Sequence, residues 1–366
     1  MNGRIKLKRR LKSIAYVLLA VCFSFCSACG GEHLEYDNGG GTTGGETQSP
    51  ASPNVNDEVV FDTDGCFSVH FLDVGNSDAI FIDFADGKTM LIDCGEKRES
   101  NLKTIENCLD EHVTDDTLNY LVLTHPDSDH VGNAADILTD YKVETAYIPK
   151  LAQPENFNPY YEAYEIIENA RTAGNIKRIY SEVGKTICGD DYYLIMLSPN
   201  ARGTTDSAYD KVNSSVDPSA DDINDISPII YLDYKGVRFI FTGDAGFSQE
   251  KVALNNVDKL PLLKNVLSKN NKAPVNLTDI DFLKVSHHGS DDASGNEFLQ
   301  RITPKNAVIS VGGDNKYGHP KEETLKRIKA ANENYNLYLT SVHGTVSVYV
   351  NKDGQTMVKT DAKKAA

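Results

Sequence analysis

The chain has 366 residues, 40% of them hydrophobic and 25% charged, a globular composition with room for one large domain or two ordinary ones. Against 37 basic residues stand 53 acidic ones, for a net charge of −16; setting aside residues 1–28, which hold six basic and no acidic residues, leaves 31 against 53, or −22. That balance excludes a general basic surface for nucleic acid, so any phosphate-bearing partner must be gripped locally by metal ions or a few lysines.

The N-terminus reads as a targeting segment. Arg4, Lys6, Lys8, Arg9, Arg10 and Lys12 precede an apolar run from Ser13 to Phe25, which is too short for an ordinary spanning helix. The run ends in Cys26-Ser27-Ala28-Cys29-Gly30, which resembles a bacterial lipobox except that a cysteine stands where an aliphatic residue is usual. The expectation is a signal peptide over 1–28 and lipidation of Cys29, tethering an extracytoplasmic protein to the cell membrane; ordinary secretion or an uncleaved anchor are the alternatives. Residues 29–62 are rich in Gly, Ser, Thr and Pro and read as a flexible linker. Cys66, Cys94, Cys108 and Cys188 remain, and their spacing neither pairs them nor forms a zinc knuckle.

A folded domain is expected over 63–355, followed by a polar tail over 356–366. Cys66 to Asp73 and Ala79 to Phe84 read as strands, and Asp86-Gly87 turns the chain into a third at Thr89 to Asp93. A helix over 99–111 leads to the strand Leu121-Val122-Leu123-Thr124, which Pro126 stops at His125. Strands follow at 144–148, 177–180 and 192–197, with a helix over 158–173. Ser198 to Ser227 reads as a long surface loop. Pro228 to Tyr234 and Val237 to Phe241 form a hairpin at Lys235-Gly236. Helices are predicted at 247–256, 294–302 and 321–332, with strands at 282–285 and 307–311. Asn336 to Thr340 and Thr345 to Val350 are expected to close as a terminal hairpin. The pattern is α/β with mixed sheets.

Side chains that bind metals gather where apolar strands end. His125-Pro126-Asp127-Ser128-Asp129-His130 places two imidazoles and two carboxylates in six residues. Phe239 to Phe241 runs into Thr242-Gly243-Asp244, and Phe282 to Val285 into Ser286-His287-His288-Gly289. Ala307 to Val311 leads to Tyr317-Gly318-His319-Pro320. Strand C-termini are where α/β proteins build sites. A lone His or Asp at such an end is usually a cap or a surface group; it is the recurrence that points to a metal centre.

Taken with FLDVGNSDAIFID, TMLIDCG, LTHPDSDHVG, FTGDA, LKVSHHGS and NKYGHP, this order resembles the metallo-β-lactamase fold superfamily, and within it the hydrolase domain of ComEC-type DNA-uptake proteins, over roughly Cys66 to Val350. The resemblance implies an αββα four-layer sandwich of two mixed sheets with outer helices, and two divalent metal ions, zinc or manganese. It implies metal ligation by His125, Asp127, Asp129, His130, Asp244 and His287, with Asp244 bridging. Catalytic contacts would come from Asp129, His288, Tyr317 and His319, with Asp93 bracing the metal loop from behind; Asp73 and Asp78, which flank Gly75, either support the site or cap a turn. Asp127 replaces the second histidine of the usual His-x-His-x-Asp-His loop. No histidine stands between Pro199 and Asp244 for the usual third position of the first site, so Asp225, Ser227 or water is left to fill it. Lys284 is expected to point away.

The implied activity is a phosphodiesterase or nuclease using a metal-bridging hydroxide, on a phosphoester substrate that includes DNA. One alternative is a phosphodiesterase for a cell-surface polymer or small phosphoester, favoured by the −22 charge. Another is a non-catalytic surface binding module with a relict metal site, favoured by the missing histidine. The carboxylate at 127 argues against β-lactam hydrolysis. No stable protein partner is implied.

Overall fold

The computed structural model describes residues 61–313 and 315–361. The signal segment, almost all of the linker and Cys29 lie outside the described residues. The chain order begins β1 (Phe67–Phe71), β2 (Ile80–Asp83), β3 (Thr89–Ile92), α1 (Glu99–His112), β4 (Thr117–Val122), α2 (Ser128–Val131), α3 (Ala134–Asp140), β5 (Lys142–Ile148), α4 (Tyr160–Thr172), β6 (Lys177–Tyr180), β7 (Thr186–Cys188) and β8 (Tyr192–Met196). It continues α5 (Ala208–Ser214), α6 (Ala220–Asn224), β9 (Ile230–Tyr234), β10 (Val237–Phe241), α7 (Phe247–Lys259), α8 (Pro261–Lys269), β11 (Phe282–Lys284), α9 (Asn296–Ile302), β12 (Asn306–Ile309), α10 (Glu322–Ala331), β13 (Asn336–Leu339), α11 (Thr340–His343), β14 (Val346–Val350) and β15 (Thr356–Thr360).

Two mixed sheets face each other. The first runs β15-β14-β1-β2-β3-β4-β5-β6 and the second β13-β12-β11-β10-β9-β8-β7. Strand alternation divides the side chains between layers. Phe67, Val69 and Phe71 of β1 meet Phe239 and Phe241 of β10 and Phe282 of β11 between the sheets. The opposite faces bury Leu91 and Leu121 under α1, α3 and α4, and Ile240 and Leu283 under α7 to α10. The fold is therefore an αββα sandwich. The β9–β10 hairpin turns at Lys235 and Gly236, both at positive φ (51° and 87°), as a two-residue turn of this hand requires.

Three expectations are corrected. The supposed terminal hairpin does not form, because β13 joins β12 in parallel at the edge of the second sheet while β14 pairs with β1 in the first. The expected polar tail instead opens with β15, antiparallel to β14 from Thr356 to Thr360, so the domain extends past 355. The long surface loop holds α5 and α6, which bury Ala208, Tyr209, Val212 and Ile226 in a small core of their own. The four cysteines at 66, 94, 108 and 188 are free thiols.

A buried polar knot outside the site makes stability depend on pH. His70 of β1 bonds Ser68 and Ser347 through its two ring nitrogens, both at 2.8 Å. Burial, with the nearby His112 ring, drops its pKa from 6.5 to about 3. A depressed pKa means stability that is full above 6.5 and drains as pH falls toward 3, by up to about 1.4 kcal/mol per pH unit. Replacing His70 with asparagine, which keeps a donor and an acceptor, should shrink the loss in urea-unfolding stability between pH 7 and 5 by about 2 kcal/mol. Equal losses in the two proteins would refute this.

Candidate metal centre

The C-terminal ends of β3, β4, β10 and β11 converge on one edge of the sandwich. Asp93 follows β3 at a positive φ of 60°. Its buried carboxylate accepts the Thr124 amide at 2.8 Å, the Thr124 hydroxyl at 2.7 Å and His130 Nδ1–H at 2.7 Å. With Nδ1 donating, His130 keeps Nε2 bare. His125 is fixed the same way, its Nδ1 lying 3.1 Å from Thr124 Oγ1 and 3.1 Å from Ser227 Oγ. His288 gives Nδ1–H to the Ser310 carbonyl at 2.8 Å. The three rings are buried, and none of the three Nε2 atoms has a hydrogen-bond partner.

Those bare nitrogens meet carboxylates. His130 Nε2 lies 3.2 Å from Asp244 Oδ1, at an angle that makes no hydrogen bond. His288 Nε2 lies 3.5 Å from Asp129 Oδ2 and 3.6 Å from Asp244 Oδ2. His125 Nε2 stands 3.8 Å from Asp127 Oδ2, with that carboxylate partly open to solvent. Gly243, at φ 51°, lets β10 turn into Asp244 so close to Thr124 and Ser227 that a Cβ there would come within 3.1 Å of Ser227. Buried imidazole nitrogens without partners are costly unless something fills the gap. His125, His130 and Asp244 form one group that can hold a metal ion, and Asp129, His130 and His288 a second. An Nδ1 tethered to an acceptor, leaving Nε2 to coordinate, is the usual posture of a metal-binding histidine. The donor set fits divalent metal.

Burial and mutual charge shift the pKa values of these groups. Burial pushes Asp127 up to about 6 and His125 down to about 4. Burial alone would also lower His130, but Asp244 and Asp93 hold its pKa well above the usual range. Burial would raise Asp244, yet His130 and His288 bring it well below. Burial likewise opposes the raised pKa of His288, which Asp244 and Asp129 sustain. Imidazoles and carboxylates thus shift one another's pKa values across the cluster, and a bound divalent cation would favour neutral imidazoles beside charged carboxylates.

Residues 72–186 match the family model described as the metallo-beta-lactamase superfamily. Over that segment, and in its αββα layering, the chain is similar to the metallo-β-lactamase superfamily. It is 29% identical to "ComE operon protein 3" of Bacillus subtilis over 244 residues, 65% of this chain and 25% of that protein. It is 28% identical to "Recombination protein 2" of Haemophilus influenzae over 286 residues, 77% of this chain and 29% of that protein. The chain thus spans under a third of the length of either relative. Among solved structures, the metallo-beta-lactamase fold protein YhfI from Bacillus subtilis aligns with 80% of this chain and 99% of its own, at 10% identity and a TM-score of 0.42.

The structure rearranges several expected roles. His287 and His288 sit in a turn where both have positive φ (48° and 51°), ahead of Gly289 at 84°. Consecutive left-handed residues are strained and cluster at functional sites. The turn sends His288 inward and leaves His287 a quarter exposed, its Nδ1 3.0 Å from Asp292 Oδ1 and its Nε2 3.8 Å from Asp244 Oδ2. His288 therefore takes the inner place expected of His287. His319 lies beside His287, ring centroids 5.9 Å apart, and Tyr317 stacks on His319 at 5.7 Å and is 64% exposed. These two form a rim over the outer side of the cluster. Asp78 is buried behind His288, 3.7 Å away. Asp73, expected to brace the site, is half-buried with its amide on Thr345 Oγ1 and stands outside the histidine–carboxylate groups. Asp225 turns to the Gly246 amide and the Ser248 hydroxyl, which leaves Ser227 as the residue that reaches His125. Lys284 is also corrected: it is fully buried, with Nζ 2.8 Å from Asp78 Oδ2. Alternation could have found it, since Lys284 shares its face with Phe282, which lies between the sheets.

Proposed function

We propose that this chain is a membrane-tethered extracytoplasmic phosphodiesterase or nuclease that works with two divalent metal ions, zinc or manganese. The observation that carries the reading is the convergence of three buried, partnerless imidazole Nε2 atoms on Asp244, Asp129 and Asp127. His125, Asp127 and Asp244 would hold one ion. Asp129, His130, His288 and the shared Asp244 would hold the other. When bound, such a pair supplies Lewis acidity at phosphorus and water whose pKa falls toward neutral. The protein's own part is positional. Asp93 and Ser310 fix the imidazole tautomers, and Thr124 and Ser227 hold His125. Tyr317 and His319 stand where a substrate or leaving group would arrive. Carboxylates in place of a third histidine favour harder ions such as manganese, while zinc tolerates the mixture.

Likeness to the ComEC-type proteins favours DNA as the substrate. The net charge of −22 beyond residue 28 favours a smaller or surface-bound phosphoester instead. The N-terminal lipobox-like sequence supports the tether. A panel of bis-p-nitrophenyl phosphate, single-stranded DNA, a teichoic-acid-like ester and a chromogenic β-lactam separates the readings, with manganese or zinc added and then chelated. The expected result is metal-dependent cleavage of phosphodiesters and none of the β-lactam. No cleavage of any phosphoester by the metal-loaded protein would favour the binding-module reading.

A further inference from the structure

Lys284 is the only buried lysine or arginine among the described residues. It ends β11 in the middle of the second sheet, and its side chain crosses to Asp78, which precedes β2 in the first. Both partners have lost their water. Such a pair stabilises a fold little or not at all compared with apolar residues of similar size, so packing alone does not account for it. What it touches does. The Asp78 amide donates to the Asp129 carbonyl at 3.2 Å, and the Asp78 carbonyl accepts from the Gly95 amide at 2.8 Å, two residues beyond Asp93. Asp78 Oδ1 has no hydrogen-bond partner and faces His288 Nδ1 at 3.7 Å. Lys284 Nζ also donates to the Val285 carbonyl at 2.9 Å, and the Lys284 carbonyl accepts from Thr242 Oγ1 at 2.8 Å, in the strand end that leads to Asp244.

We infer that the Lys284–Asp78 ion pair is a charge clamp that positions Asp129 and His288 for the second metal ion. It rests on the metal-centre reading above. The ammonium anchors Asp78 by one oxygen. The other oxygen is left toward the N–H edge of His288, favouring the tautomer whose Nε2 is bare. Without the ammonium, Asp78 becomes one more buried anion beside Asp129 and Asp244, free to turn toward the metal. Lys284 is thus a positioning residue, acting through Asp78.

The test follows Co²⁺ titration by visible absorption in the purified domain, with thermal unfolding run in parallel. Wild-type protein must first bind Co²⁺; if it does not, the metal-centre reading itself fails. If it does, Lys284→Met should weaken Co²⁺ binding by about 10- to 100-fold, the usual cost of losing a group that orients metal ligands, and alter the absorption band. Lys284→Arg should recover most of both. The neutral pair Asp78→Asn with Lys284→Met should fold about as stably as wild type and still bind Co²⁺ weakly. Wild-type affinity and spectrum in a folded Lys284→Met protein, or in the neutral pair, would overturn the clamp. Failure of both to fold would overturn it too, because the pair would then serve the fold as a whole.

Discussion

Asp244→Ala should abolish both metal binding and hydrolysis while leaving the domain folded. Among the described residues, Asp244 is the one carboxylate whose two oxygens reach separate imidazoles, Oδ1 toward His130 and Oδ2 toward His288 and His287. It is therefore the residue that joins the two halves of the cluster. Losing an outer group that only orients a ligand costs about 10- to 100-fold, so losing the shared ligand should cost more, about 1,000-fold in kcat/KM. Stability should move the other way or hardly at all. The substitution removes a buried anion from a crowd that includes Asp93 and Asp129, and the backbone around 242–245 is held by main-chain bonds such as His287 N–H to Gly243 O. Phosphodiesterase assays with urea-unfolding curves check both halves. Activity within tenfold of wild type would remove Asp244 from the mechanism.

The second large effect separates two neighbours. His288→Ala should lower metal content and cut kcat/KM by about 100-fold or more, whereas His287→Ala should keep the metal and mainly raise KM. The difference comes from the left-handed turn at 287–289. It buries His288 with Nδ1 spent on Ser310, and it leaves His287 tied to Asp292 at the entrance, next to His319. Equal loss of metal in the two variants would show that both rings coordinate.

The same turn marks where sequence stops being enough. Two histidines in a row after a strand announce a ligand, but strand alternation cannot choose between them once the backbone leaves the strand at Val285. Only the positive φ angles decide, and only Gly289 hints at them in the sequence. The six-residue loop after β4 was legible because its ligands are local, with Pro126 stopping the strand and α2 beginning at Ser128. The mixed α/β sheets were legible too, because hairpin signals and apolar strands recur in both halves, whereas the four-layer stacking came only from the family resemblance. Long-range partners were not. Ser227 on His125 and Ser310 on His288 come from loops far away in the chain, and nothing in a lone serine announces such a contact. The parallel pairing of β13 with β12 escaped notice for a related reason. Two short strands near a chain end look like a hairpin, although each completes a different sheet.

The central claim is that the imidazoles of His125, His130 and His288 leave their Nε2 atoms bare for metal. Elemental analysis of the purified domain, loaded with manganese or zinc and dialysed, tests it most directly. The account predicts two divalent ions per chain in wild type, removable by chelation and absent from Asp244→Ala. A folded wild-type domain that retains no metal after loading would contradict it.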